Sequence, residues 1–190
     1  MRCFIAIDLP PPVRDALLEA QAALRGAAPR ADVHWAARDQ LHLTLKFLGT
    51  VADADVPRVS TALDVVAADA APIALAAAGL GAFPSVRRPR VLWGGLTEGA
   101  AAIAALAAAI DRAVVPLGFP PESRPFSAHL TIGRVRSPRG TGPLAGVVAA
   151  GAQLFGSWTA TEVVLYQSRL HPSGAVHTPV STHPLRGPGI

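Results

Sequence analysis

The 190-residue chain has a single cysteine, Cys3, and so no internal disulfide. Its opening, Met1-Arg2-Cys3-Phe4-Ile5-Ala6-Ile7-Asp8, sets an acidic residue straight after a short apolar run and offers no small-residue cleavage site. It reads as a first strand and not as an export signal. A lone thiol without such a signal points to the cytoplasm. Long apolar runs are missing too. The alanine-rich stretches at 100–110 and 145–152 read as too short, or too interrupted by glycine and charge, to make a spanning helix of roughly 20 residues. Charged residues are scarce, at 16% against 51% hydrophobic, which argues against disorder and leaves one large domain or two small lobes sharing a core. Lysine is almost absent, since every one of the 17 basic residues except Lys46 is arginine. A net charge of +4 suits an anionic substrate but is too small to indicate nucleic acid by itself.

Against these absences stands a repetition. His42-Leu43-Thr44-Leu45 recurs as His129-Leu130-Thr131-Ile132, one copy in each half of the chain. Chance would supply a second copy on the order of one time in a hundred or less. In an extended strand the side chains alternate between faces, so each copy shows an imidazole and a hydroxyl on one side and two aliphatic anchors on the other. Two acid/base groups can be brought to one phosphate in this way.

Three other chemistries lack their residues. A zinc site needs three or four ligands at set spacing, and neither phrase carries a cysteine or carboxylate to complete one. A serine hydrolase would carry its nucleophile in a Gly-x-Ser-x-Gly turn, which does not occur, and no glycine-rich phosphate loop precedes Lys46. Acid/base catalysis by two imidazoles remains. Histidine suits it because an unperturbed pKa near 6.5 lets one ring be a neutral base while the other is a charged acid.

The elements around the phrases alternate. A strand over Arg2 to Asp8 leads to a helix opened by Pro10-Pro11-Pro12 and running to about Arg25. A short strand or turn at Val33 to Ala37 precedes the strand Leu41 to Gly49, and Val56, Val59, Leu63 and Val66 give helical spacing within 53–70. Strands at Ile73 to Leu80 and Arg90 to Leu96 are expected to flank a loop over 81–89. A helix from Thr97 or Gly99 to Leu117 and a loop at 120–125 lead to the second phrase. Beyond a Gly/Pro-rich connection at 137–143 come an ambiguous Ala/Val segment to about Leu154, a strand at Thr161 to Leu170 and a short hairpin around Gly174. The repeated strand-helix units suggest two pseudo-equivalent lobes.

With its flanks, the chain resembles the RNA 2′,3′-cyclic phosphodiesterases, once described as bacterial 2′-5′ RNA ligases, of the two-histidine (2H) phosphoesterase superfamily. The resemblance rests on Arg2-Cys3-Phe4-Ile5-Ala6-Ile7-Asp8-Leu9-Pro10, Trp35, Leu41 to Gly49, Phe83-Pro84, Pro89 to Trp93, Phe126, His129 to Arg134, and Tyr166 to Leu170. It implies an α+β fold in which residues 1–190 form a single bilobal domain. Two pseudo-symmetric lobes, each an antiparallel sheet with helices and one His-x-Thr motif, enclose a central cleft. The chain is expected to be a monomer without membrane attachment, to need no cofactor, to need no metal because a ligand set is lacking, and to serve RNA processing. Its partners would be RNA ends or oligonucleotides with a 2′,3′-cyclic phosphate, opened by water to a 2′-phosphate. His42 and His129 would be catalytic, with His42 placed as the acid toward the 3′-oxygen and His129 as the base, the reverse assignment staying open. Thr44, Thr131 and Arg134 would bind the phosphate.

Strict alternation sets Arg134 on the wrong face, and either a bulge at Gly133 re-aims it or it approaches from the strand end. Lys46 falls on the His42/Thr44 face and is a second candidate cation. Trp35, Trp93, Phe4, Phe126 and Tyr166 read as core before base-stacking residues. Arg87, Arg88 and Arg90 read as a solvated loop. His34, His171, His177 and His183 read as ordinary histidines, His177 standing where the family more often has tyrosine. Two alternatives stay open: a 2H phosphodiesterase or reversible ligase acting on 2′-5′ linkages or small cyclic nucleotides, and a non-catalytic RNA-end binding module.

Overall fold

Both repeated phrases begin strands, and the two strands lie side by side at the middle of one antiparallel sheet. A computed structural model describes residues 1–150, 153–171 and 174–187. In chain order the elements are β1 (Arg2–Asp8), α1 (Pro11–Ala27), β2 (Val33–Trp35), β3 (His42–Thr50), α2 (Val56–Asp69), β4 (Ile73–Ser85) and β5 (Arg88–Glu98). They continue with α3 (Ala100–Val114), β6 (His129–Val135), α4 (Leu144–Ala149), β7 (Leu154–Ala160), β8 (Glu162–His171) and β9 (Gly174–Pro184). The sheet runs β7-β4-β5-β6-β3-β1-β8-β9, with β2 added to the edge of β6 that β3 leaves free. Its two halves meet at one residue pair, Leu43 with Leu130.

Helices cover one face and the motif side chains occupy the other. Leu43, Leu45, Leu130 and Ile132 are buried in a core shared with Val13 and Leu17 of α1 and with Ile103 and Leu106 of α3. The helices are exchanged between halves. α1 follows β1 in sequence yet packs on β6 and β7, while α3 follows β5 and packs on β3 and α2. This exchange ties the halves together across a seam that a single residue pair would hold weakly.

Four expectations change. The segment 81–89 is not a loop: β4 and β5 run on as a hairpin with its turn at Val86-Arg87. Pro84 and Pro89 face each other there, beyond the last pairs that β7 and β6 make with these strands. In that two-stranded extension a missing N–H costs no ladder bond. The ambiguous segment contains α4 and the start of β7, its residues 151–152 lying outside the described ones. The terminal hairpin is long, β9 pairing along the whole of β8, and residues 172–173 are likewise outside the described ones. Finally, Ala100–Leu117 forms 18 helical residues of mean hydropathy 1.8, long and apolar enough by length and composition alone to cross a membrane. Here Ile103, Leu106, Ala107, Ile110 and Val114 form its buried stripe and small alanines its outer side.

Candidate active site

The pair Leu43–Leu130 fixes the geometry of the four motif residues. Antiparallel pairing around it sets His42 across from Thr131 and Thr44 across from His129, so the imidazoles take one diagonal of a square and the hydroxyls the other. Such diagonals span roughly 7–8 Å, which leaves room for one phosphoryl group between the rings.

A bulge follows the threonine in both strands. On β3 the ladder to β1 slips by one residue between Thr44 and Lys46, and on β6 the ladder to β5 slips between Thr131 and Gly133. The residue after each slip turns into the core side, and the next one turns to the cleft. Lys46 and Gly133 are therefore equivalent, and so are Phe47 and Arg134. Arg134 lines the cavity with His42, Thr44, Thr131 and His177, so the expected bulge does re-aim it. Lys46 is corrected. It is 3% exposed, points away from the cleft, and donates to Asp111 Oδ1 at 2.5 Å and the Pro120 carbonyl at 3.0 Å, with Glu122 Oε1 at 3.7 Å. On the other strand the glycine is required: a Cβ at Gly133 would lie 2.9 Å from Val33 Cγ1 and 3.0 Å from Trp35 Cε3. Gln21 of α1 closes this bulge, its Nε2 donating to the Ile132 and Ala36 carbonyls at 2.8 Å each.

The two imidazoles share a tether and differ in surroundings. His129 Nδ1 lies 2.7 Å from the Ser127 carbonyl. A carbonyl only accepts, so Nδ1 carries the proton and Nε2 is left for the cleft. His42 has a matching bond to the backbone of Gln40, also two residues upstream. Phe4 stacks on His42 with centroids 4.8 Å apart, Tyr166 stacks behind Phe4 at 5.2 Å, and His177 stands edge-on to His42 at 5.5 Å. Tyr166 donates to Asp8 Oδ1 at 2.7 Å. Burial, then His177 and Arg14, push the His42 pKa down to about 3. His129 meets the edge of Phe83 at 5.1 Å, and its pKa is lowered by burial and by the Arg134 charge, against the Ser127 carbonyl, which raises it. Both shifts favour the neutral form of the ring.

Other sequence candidates sort by position. Phe4 and Tyr166 are packing residues that reach the site through His42. Trp35 lies under the Arg25 guanidinium, 5.3 Å from its ring, and packs against the core. Trp93 pairs with Thr131 and covers Gly81, while Phe126 lies in the groove beside His129. His183 bonds Asp64 of α2 at 2.7 Å, and His171 is exposed at the end of β8. His34 and His177, read as ordinary, both line the cleft. Phe47, 62% exposed, stands five residues after His42 as Arg134 stands after His129, and the bulge turns both to the cleft. Among the described residues no group of three or more His, Cys, Asp or Glu is placed to hold a metal ion.

An antiparallel α+β scaffold with two His-x-Thr strands paired at its centre is that of a two-histidine phosphoesterase. Residues 7–93 and 96–177 match the model for LigT-like phosphoesterases, and the chain belongs to that family. An RNA 2′,3′-cyclic phosphodiesterase of Methanothermobacter thermautotrophicus is 34% identical over 179 residues, covering 94% of this chain and 95% of the relative. A crystal structure from Thermus thermophilus superposes with a TM-score of 0.82 at 32% identity, over 98% of this chain and 99% of that one. Escherichia coli LigT complexed with 3′-AMP gives a TM-score of 0.76 at 27% identity, over 97% of both chains.

Proposed function

We propose that this protein hydrolyses the 2′,3′-cyclic phosphate at an RNA end to a 2′-phosphate and a free 3′-hydroxyl. The observation that carries the reading is the square of His42, Thr131, His129 and Thr44 around the Leu43–Leu130 pair. Relatives named for this activity cover nearly the whole chain, which supports the substrate class.

In-line displacement needs a base on the water side and an acid on the leaving side, with donors around the phosphoryl oxygens. In this reading His129 takes a proton from water as the oxygen attacks phosphorus. The P–O3′ bond breaks, and His42 protonates the 3′-oxygen. Thr44 and Thr131 donate to the non-bridging oxygens, with Arg134 supplying positive charge beside them. Burial makes His42 hard to protonate, so it takes its proton from solvent as the phosphate binds, the negative charge of the phosphate raising both rings. Phe47, exposed next to this floor, offers a ring face to the terminal base. All proton transfer and charge stabilisation is assigned to side chains, so turnover persists in EDTA.

The test is phosphorus NMR of the product formed from a dinucleotide ending in a 2′,3′-cyclic phosphate, in EDTA. A 2′-phosphate is expected. A 3′-phosphate product, or activity lost to the chelator and restored by a divalent metal, contradicts the mechanism.

A further inference from the structure

The cleft has two mouths of unequal size and charge. The one around His42 and His177 holds about 300 Å³, enough for one nucleotide end. The other opens beyond His129 and Thr44 into a groove of about 1450 Å³, several times what the reacting phosphate requires. Five arginines from three separate segments line it: Arg87, Arg88 and Arg90 from the β4–β5 hairpin, Arg124 from the loop before β6, and Arg136 just after β6. All five are exposed, and among the described residues none makes an ion pair with a carboxylate. The one acidic residue in the lining, Glu122, lies 3.7 Å from the buried Lys46 ammonium, which it shares with Asp111, and five arginines outnumber it. Elsewhere the protein does pair its cations, as in Arg14 with Asp8 and Arg58 with Asp55. Arg136 Nη2 lies 3.1 Å from His34 Nδ1. Convergence of guanidinium groups without carboxylate partners on one groove fits a chain of phosphates better than a single one, since each group meets one phosphate as it passes.

We propose that this groove binds the phosphodiester backbone of the single-stranded RNA leading to the end being opened, so that the enzyme prefers an oligonucleotide to a mononucleotide. The inference rests on the RNA-end reading of the site. An acidic protein segment is the less favoured occupant. The groove is continuous with the reacting residues, and Phe83 and Phe126 add ring faces that suit unstacked bases. The β4–β5 extension, unexpected from the sequence, is what carries Arg87, Arg88 and Arg90 to this position. Its length beyond the neighbouring strands is then a way to reach substrate.

The experiment compares kcat/KM for a hexanucleotide ending in a 2′,3′-cyclic phosphate with that for a nucleoside 2′,3′-cyclic monophosphate, between about 50 and 200 mM salt. The hexanucleotide is expected to be favoured by about tenfold or more at low salt, the preference shrinking as salt rises. In the triple variant Arg88→Glu, Arg90→Glu, Arg124→Glu that preference disappears while mononucleotide turnover is unchanged. With the milder Arg→Gln versions the salt slope for the hexanucleotide falls by about two. Separately, a labelled hexanucleotide with an unreactive 3′-hydroxyl end binds the wild type and not the triple variant. Equal kcat/KM for the two substrates in the wild type, equal losses on both in the variants, or no binding of the unreactive oligonucleotide overturns the groove. Failure to open either cyclic phosphate defeats the catalytic reading instead, and the binding measurement still decides the groove.

Discussion

The two sides of the cleft are built from the same phrase, the same bulge and the same backbone tether two residues before the histidine, yet they come out chemically unequal. On the His42 side an aromatic stack of Phe4 and Tyr166 closes over the ring, and His177 stands at its edge. On the His129 side the wall is thinner, Arg134 is near, and a wide basic groove opens outward. The residue that each bulge turns to the cleft differs in kind: Phe47 offers a ring and Arg134 a charge. The repeated strand supplies two like groups, and neighbours supply the asymmetry that acid/base catalysis needs, because two imidazoles with identical surroundings would titrate together.

The largest break in the comparison comes from deleting either ring. His42→Ala and His129→Ala are each expected to lower kcat by about 10²–10⁴ with the fold retained, as for loss of a general acid or base. Near-normal turnover in one folded variant would make that half of the cleft dispensable. Next are the equivalent bulge positions and the two cations. Arg134→Ala should lower kcat/KM by roughly 10–100-fold, the worth of a charge-assisted hydrogen bond, while leaving the melting temperature nearly unchanged. Lys46→Met should do the reverse. Its expected cost is about 1–3 kcal/mol of stability, below that of a fully buried pair because Asp111 and Glu122 stay partly in water. Its kcat/KM should remain near wild type, and measuring both quantities in both variants checks the division of labour.

The pH predictions sharpen the same contrast. In the free enzyme both rings have depressed pKa values, and phosphate raises them in the complex. The alkaline limb of kcat/KM should therefore lie at lower pH than that of kcat. His177→Phe removes an imidazole whose positive charge lowers His42, so the limb of kcat/KM that His42 sets should move upward in pH. An unmoved limb would show that His177 only fills space. Stability follows the same sign. A histidine whose folded pKa lies below the unfolded value of about 6.5 contributes stability above that pH and loses it as pH falls toward about 3. Denaturant titrations of the wild type should show this decline, and His42→Gln should flatten it.

The scaffold was legible wherever period and punctuation agreed. α1 follows from Pro10-Pro11-Pro12 at its start and α2 from the spacing of Val56, Val59, Leu63 and Val66, and both motif strands follow from alternation. Alternation then misplaced Lys46 for the reason it succeeded elsewhere. A bulge inserts one residue and reverses the faces beyond it, and nothing local in Leu45-Lys46-Phe47 announces one. On β6 the glycine gave the clue, since Gly133 beside Trp35 marks a close approach. Pro84 and Pro89 signalled a loop because proline is excluded from sheet interiors, and only the tertiary arrangement shows that this part of the hairpin has no flanking strands. His177 was invisible as a cleft residue because its neighbours, Phe4 and His42, lie far away along the chain.

The most direct test of the claim that two unequal halves form one catalytic site is the single-turnover rate of the double variant His42→Ala, His129→Ala, measured beside both single variants on the same cyclic-phosphate oligonucleotide. Groups that act together on one step are strongly non-additive. The double variant is therefore expected to be no more than about tenfold slower than the worse single variant. A rate equal to the product of the two separate losses would contradict the account, because the two histidines would then be contributing independently.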